Sequence, residues 1–168
     1  MLTRTEHADG LVSYQSPLLT RLGVVHVFTT RRRGVSPAAG AGLNLAPPVV
    51  AGSAAAAASQ PGASSCDGCS PEPLVTGAAL HTADHYRQNL RLLTGALGCD
   101  ARPVVTVRQV HGAGWHEMDP DATDRAPVDA DAMITDRGDR LLMIRVADCV
   151  PVLLSDRTGR VVAAVHAG

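Results

Sequence analysis

The apolar positions of this chain follow two different periods. Between residues 82 and 97, Tyr86, Leu90, Leu93 and Leu97 recur at three- and four-residue steps, so they share one helical face. Thr82 or Asp84 offers an N-cap, and Gly98 a C-terminal stop. Beyond Gly98 the apolar residues come in short runs bounded by turn residues, which predicts strands in "PVVTVRQVHG", "ADAMIT", "RLLMIRVADC", "PVLLS" and "RVVAAVHAG", with "DRGD" and "DRTG" as turns. Upstream, residues 24–29 read as a strand that turns through Gly34 and Pro37 into a Gly-rich loop ending at Leu43, Asn44 and Leu45. No internal repeat is visible.

Residues 47–77 break the pattern. They are rich in Ala, Ser, Gly and Pro and low in complexity, which predicts a disordered insertion within a single domain spanning 1–168. The "CDGC" inside it, with Cys66 and Cys69, lacks the second half of a zinc knuckle and reads as exposed thiols. His81 and His85 are spaced to meet on one helical turn, where an ordinary polar face is the better expectation than a metal grip.

Composition narrows the function classes. A chain of 168 residues with 45% hydrophobic and 18% charged residues is globular and long enough for a core. A net charge of -1 and 2% aromatic residues leave neither an electrostatic footprint nor a stacking platform for nucleic acid. The N-terminus has no apolar h-region and no run reaches membrane-spanning length, so a soluble cytoplasmic protein is expected, with no membrane partner. The four cysteines are scattered and predict free thiols.

The stretch "IRVADCVPVLL" then raises the question of chemistry. An ionised Asp148 is costly to bury without a partner, and beside it stands the thiol of Cys149. If "DRTG" closes the last hairpin with Ser155 opposite Arg160, Cys149 pairs with His166 directly across the ladder. A one-residue slip, or a bulge at Pro151, would send one of them to the other face. His111 ends another predicted strand in "RQVHG". Two His and one Cys at strand ends form a three-donor set that leaves a fourth position open, the arrangement of catalytic rather than structural zinc. The same residues also allow a metal-free hydrolase, with Cys149 as nucleophile and His166 as base.

Six motifs, "FTTRRRGVS", "LNLA", "QVHG", "DAMIT", "ADCVPVLL" and "VVAAVHAG", occur in an order and wording that closely resemble the YfiH-like family of laccase-domain, or polyphenol oxidase, proteins and purine nucleoside phosphorylases. The resemblance implies an α+β fold, with mixed β-sheets flanked by helices in α/β/β/α layers. It implies metal ligation by His111, Cys149 and His166, with zinc as the metal and copper as the alternative. It further implies phosphorolysis of adenosine, inosine and methylthioadenosine, and deamination of adenosine. Purine nucleoside and phosphate are then the small-molecule partners.

Around that set, Cys149, Asp148 and Arg31 are the catalytic candidates. Asp148 would orient a ligand or move a proton, and Arg31 would take the phosphate through its bidentate fork. Asn44 and Gln109, with Arg31, are candidates for substrate binding. Arg33 stands where the family usually has a first glycine before "VS". Relatives also continue past "HAG" with a Trp-Arg-Gly motif, so the domain is expected to be incomplete at its C-terminus and this chain a weak or inactive enzyme. A multicopper oxidase would need His-x-His pairs, which none of the seven His residues forms. Peptidoglycan-precursor editing is a further activity attached to the family.

Overall fold

The computed structural model describes residues 1–37, 42–46, 81–118 and 127–168. The expected insertion at 47–77 lies outside the described residues. Eleven elements follow in chain order: strands β1 (Thr3–Glu6) and β2 (Val12–Gln15), helix α1 (Pro17–Arg21), strand β3 (Phe28–Thr29), helix α2 (Ala83–Ala96), then β4 (Val104–Val105), β5 (Trp115–Glu117), β6 (Ala132–Thr135), β7 (Leu141–Leu142), β8 (Val150–Ser155) and β9 (Val162–Ala167). They form an antiparallel sheet β1-β2-β3, a parallel pair β4-β7, and a mixed sheet in the order β5-β6-β9-β8. The α+β class with mixed sheets is therefore observed.

Helix α2 forms where the periodicity placed it. Thr82 caps it by accepting the His85 N–H through Oγ1 at 3.3 Å, while the Thr82 N–H donates to His85 Nδ1 at 3.1 Å, so the His at the third position closes a capping box. His85 is thereby used as a cap. His81 bonds Ser36 Oγ through Nδ1 and the Ala46 carbonyl through Nε2, so both rings serve the fold. Asn89, with no exposed surface, ties the helix to the loop before it. Its Oδ1 accepts from Val35 N at 2.9 Å, and its Nδ2 donates to Ser36 Oγ at 2.8 Å and to the Asn44 carbonyl at 2.9 Å. Beside this hub, Leu93 packs with Leu11 and Leu43 in one core cluster. The loop closes tightly at Gly42, whose φ of 97° and contact with the Arg31 carbonyl leave no room for a Cβ.

The second core lies on one face of the mixed sheet. Met133 of β6 faces Ala164 of β9, which faces Leu153 of β8, and Val107, Met118 and Ala130 pack with Met133. Val105, Leu142 and Ile144 cover the cluster from the side. This face carries the site at its end.

Four sequence expectations change, the first being the strand expected at 103–112, of which only Val104 and Val105 pair in a sheet. Of the strand expected at 24–29 only Phe28 and Thr29 pair, because the buried His26 ring takes the backbone on both sides: Nε2 accepts Ser16 N–H at 2.6 Å and Nδ1 meets the Val24 carbonyl at 2.9 Å. Of the strand expected at 140–149 only Leu141 and Leu142 pair, since Gln109 occupies the backbone of Arg145 through Nε2 to its carbonyl at 2.7 Å and Oε1 from its N–H at 2.9 Å. In the last hairpin Ser155 faces Val162, not Arg160. Asp156 enlarges the turn by accepting the N–H groups of Arg160 and Val161 on one oxygen, at 2.8 and 3.1 Å. β9, the strand bearing His166, lies inside the sheet, between β6 and β8.

Candidate metal centre

The enlarged turn shifts the hairpin register by two residues, so Pro151 faces His166. Two is the side-chain period of a strand, and an even shift keeps the face. Cys149, two residues before Pro151, therefore meets His166 on the diagonal instead of head-on. His111 approaches from the loop between β4 and β5. One donor atom from each of His111, Cys149 and His166 lies within 4.8 Å of the other two. The Cys149 Sγ is 3.8 Å from His111 Nε2, and the two imidazoles meet edge to face with centroids 4.8 Å apart.

The residue that organises this set is Asp131, which the sequence reading did not single out. Its side chain is 3% exposed, and Oδ1 lies 2.7 Å from His166 Nδ1. Both carboxylate oxygens accept backbone N–H groups: Val110 at 3.3 Å and Gly112 at 2.7 Å on Oδ2, and His111 at 3.1 Å on Oδ1. Burial pushes the Asp131 carboxyl up, but the Gly112 N–H, the His166 ring and the Val110 and His111 N–H groups outweigh it and leave it at about 2. One carboxylate thus orients the His166 ring and clasps the loop that presents His111. That loop holds His111 at φ 56°, a left-handed conformation uncommon for a side chain without special support. A signal was present in the sequence: Asp131 alternates with the buried Met133, so it had to face the core and find partners there.

Electrostatically the site opposes a free thiolate. Burial pushes the Cys149 thiol up, and the carboxylate charge of Asp148, its contact with Sγ at 3.7 Å and the charge of Asp131 push it further. The same two carboxylates attract a cation. Zinc bonds of about 2.0–2.1 Å to nitrogen and 2.3 Å to sulfur at tetrahedral angles place donors about 3.5 Å apart. The 3.8 Å separation of Sγ and Nε2 is close to that edge, and with His166 Nδ1 engaged by Asp131, Nε2 is the nitrogen free to ligate. The donor set fits a metal ion. Gly168 closes one side so tightly that a Cβ there would lie 2.6 Å from His111 Cδ2 and 3.0 Å from His166 Cε1.

Of the other expected residues, only Asp148 touches a donor, through its contact with Cys149 Sγ. Arg31 and Asn44 line a cleft of about 580 Å³ between the N-terminal elements and the 141–147 segment, and Ala147 and Pro151 bring that cleft to the edge of the donor set. Asn44 Oδ1 closes a local turn by accepting from Ala46 N at 2.9 Å. Gln109 has both ends of its amide on the Arg145 backbone. Asp148 is exposed beside Cys149.

Known proteins resemble this chain in sequence and in fold. A purine nucleoside phosphorylase of Streptomyces coelicolor is 42% identical over 80 residues, 48% of this chain and 33% of its own length. One from Corynebacterium glutamicum is 33% identical over 143 residues, 84% of this chain and 46% of its own. The chain spans about half the length, or less, of the curated relatives it matches. Among solved structures, YlmD from Geobacillus stearothermophilus superposes with a TM-score of 0.66 at 23% identity, over 100% of this chain and 53% of that one. YfiH from Bacillus licheniformis gives 0.64 at 22%, over 98% and 52%. These two show the fold. The family model described as multi-copper polyphenol oxidoreductase laccase matches residues 67–168, more than half of the sequence, and the chain belongs to that family, which includes the YfiH proteins.

Proposed function

We propose that this chain carries the metal centre of a purine nucleoside phosphorylase, with His111, Cys149 and His166 as ligands to zinc and with deamination of adenosine as a second activity. The observation that carries this is the convergence of the three donors within 4.8 Å, with His166 oriented by a buried carboxylate. The names of the curated relatives support the choice of purine nucleosides, methylthioadenosine included as a close analogue of adenosine. A zinc ion there would supply Lewis-acid polarisation of a substrate oxygen and acidify a bound water.

The chain's own residues do the rest. Asp131 fixes the His166 tautomer and ring plane, and Asp148, exposed beside the thiol, would take or return a proton. The apolar cleft accepts the nucleoside, Asn44 Nδ2 remains for a base or ribose oxygen, Arg31 addresses phosphate, and Gln109 acts by holding the Arg145 backbone against the wall.

The test is a phosphate-dependent adenosine and inosine assay with metal analysis of the purified protein, beside Cys149→Ala. Zinc and turnover should disappear together in the variant. Stoichiometric zinc in Cys149→Ala would remove the ligand assignment. Copper in place of zinc, with oxidation of phenols and no nucleoside turnover, would move the protein to the oxidase reading. An active metal-free protein would favour a thiol hydrolase built on Cys149, His166 and Asp131.

A further inference from the structure

Arg145 stands out because its backbone is held on both sides while its buried Nε finds no hydrogen-bond partner among the described residues. The backbone clamp is Gln109, two residues before the ligand His111. Ile144 packs into the core beside Met133, and Arg145, its neighbour, lines the 580 Å³ cleft that Arg31 also lines. Tyr86 of α2 stands close by: burial pushes its phenol up, and the Arg145 charge acts against that push. A buried N–H without an acceptor carries its full desolvation cost, so its persistence points to a ligand that is absent from the free chain.

We infer that Arg145 is a second oxyanion-binding residue of the cleft beside Arg31, receiving a phosphate group on its guanidinium while the apolar wall receives the nucleoside. This deepens the phosphorylase reading and rests on it for the identity of the nucleoside, but not for the anion. The chemistry is that of a planar fork meeting two oxygens of one phosphate. Distance permits it. Gln109 is two residues from His111 and Arg145 four from Cys149, so at no more than about 3.6 Å per residue the Arg145 backbone is within about 15 Å of the Cys149 backbone, a span that a nucleoside with its phosphate can bridge. Arg31, which lines the same cleft, supplies a second positive charge.

The experiment is calorimetric titration of the zinc-loaded 168-residue chain with inorganic phosphate and, separately, with ribose 1-phosphate, because the oxyanion can arrive free or as an ester. Arg145→Met keeps the stem and removes the charge and the orphan N–H. It should melt at or above the wild-type temperature, keep its zinc, and bind the preferred anion roughly 10- to 100-fold more weakly. Unchanged affinity in a folded Arg145→Met, no anion binding by the wild type, or a strongly lowered melting temperature that reveals an internal partner would each overturn the inference. If Arg145→Met does not fold, Arg145→Lys decides, since it keeps the charge but loses the fork: several-fold weaker binding supports the assignment and wild-type binding removes it. Arg145-dependent phosphate binding without nucleoside turnover would leave the seat in place and remove the phosphorylase reading. Phosphorolysis with an unchanged phosphate KM in Arg145→Met would do the reverse.

Discussion

Asp131 holds the ring of His166, with Oδ1 2.7 Å from Nδ1 and both side chains 3% exposed. The pair explains why a histidine from the middle of a sheet and one from a strained loop present their nitrogens to one point. Asp131→Asn keeps the volume but replaces one acceptor oxygen with a donor amide. Metal affinity should fall about 10- to 100-fold, read by chelator competition, with the circular dichroism spectrum retained. Wild-type affinity in this variant would show that the carboxylate does not orient the ligand.

Asn89 plays the corresponding part for the N-terminal layer. Asn89→Leu would leave the half-buried Val35 N–H and Asn44 carbonyl without their partner. At about 1–3 kcal/mol for each group, a loss of roughly 2–6 kcal/mol is expected in urea unfolding. A loss below about 1 kcal/mol would mean that water reaches these groups and the hub is not dry.

The hairpin turn should give the fold a measurable acid sensitivity. The Thr158 hydroxyl and the Val161 N–H lower the Asp156 carboxyl, burial opposes them weakly, and the backbone N–H groups of Arg160 and Thr158 add to the lowering, which brings it from 3.8 to about 2. A carboxyl depressed in the folded state stabilises above its unfolded value, and that contribution fades as pH falls through the folded one. The wild type should therefore melt higher than Asp156→Asn at neutral pH, and the two melting curves should converge between about pH 4 and pH 2. Parallel curves over that range would rule out this origin.

Gly168 predicts a local effect on the metal centre alone. Gly168→Ala places a methyl group 2.6 Å from His111 Cδ2, so the ring must rotate away from Cys149. Weaker zinc retention at an unchanged melting temperature is the expected outcome. Unchanged retention would show that the terminal residue yields instead.

Much of the site was legible because its signals are local or periodic. The helix announced itself through Thr82, the four apolar positions and Gly98, and the three donors stand in short motifs. The hairpin argument reached the right face with the wrong partner: counting from a four-residue turn could not foresee that Asp156 would recruit Arg160 and Val161, but parity survived the error. What stayed hidden depends on contacts distant in sequence. The strand predicted through Arg145 was lost to an amide 36 residues upstream. Asp131 was passed over because its partners are three backbone N–H groups and a His166 ring 35 residues downstream, which no local motif records.

The even shift in the last hairpin has a consequence for how this protein can change length. Insertions and deletions at the turn, residues 156–161, move no side chain across the sheet, because β9 is anchored independently by β6. A single-residue deletion between Cys149 and Pro151, or between Ala164 and His166, would rotate a donor to the far side of the sheet and abolish the centre in one step. Removing two residues there would return the donor to its side but displace it along the strand. Length variation in this hairpin is therefore confined to its closed end, and a library of loop insertions should retain metal at the turn and lose it at the open end.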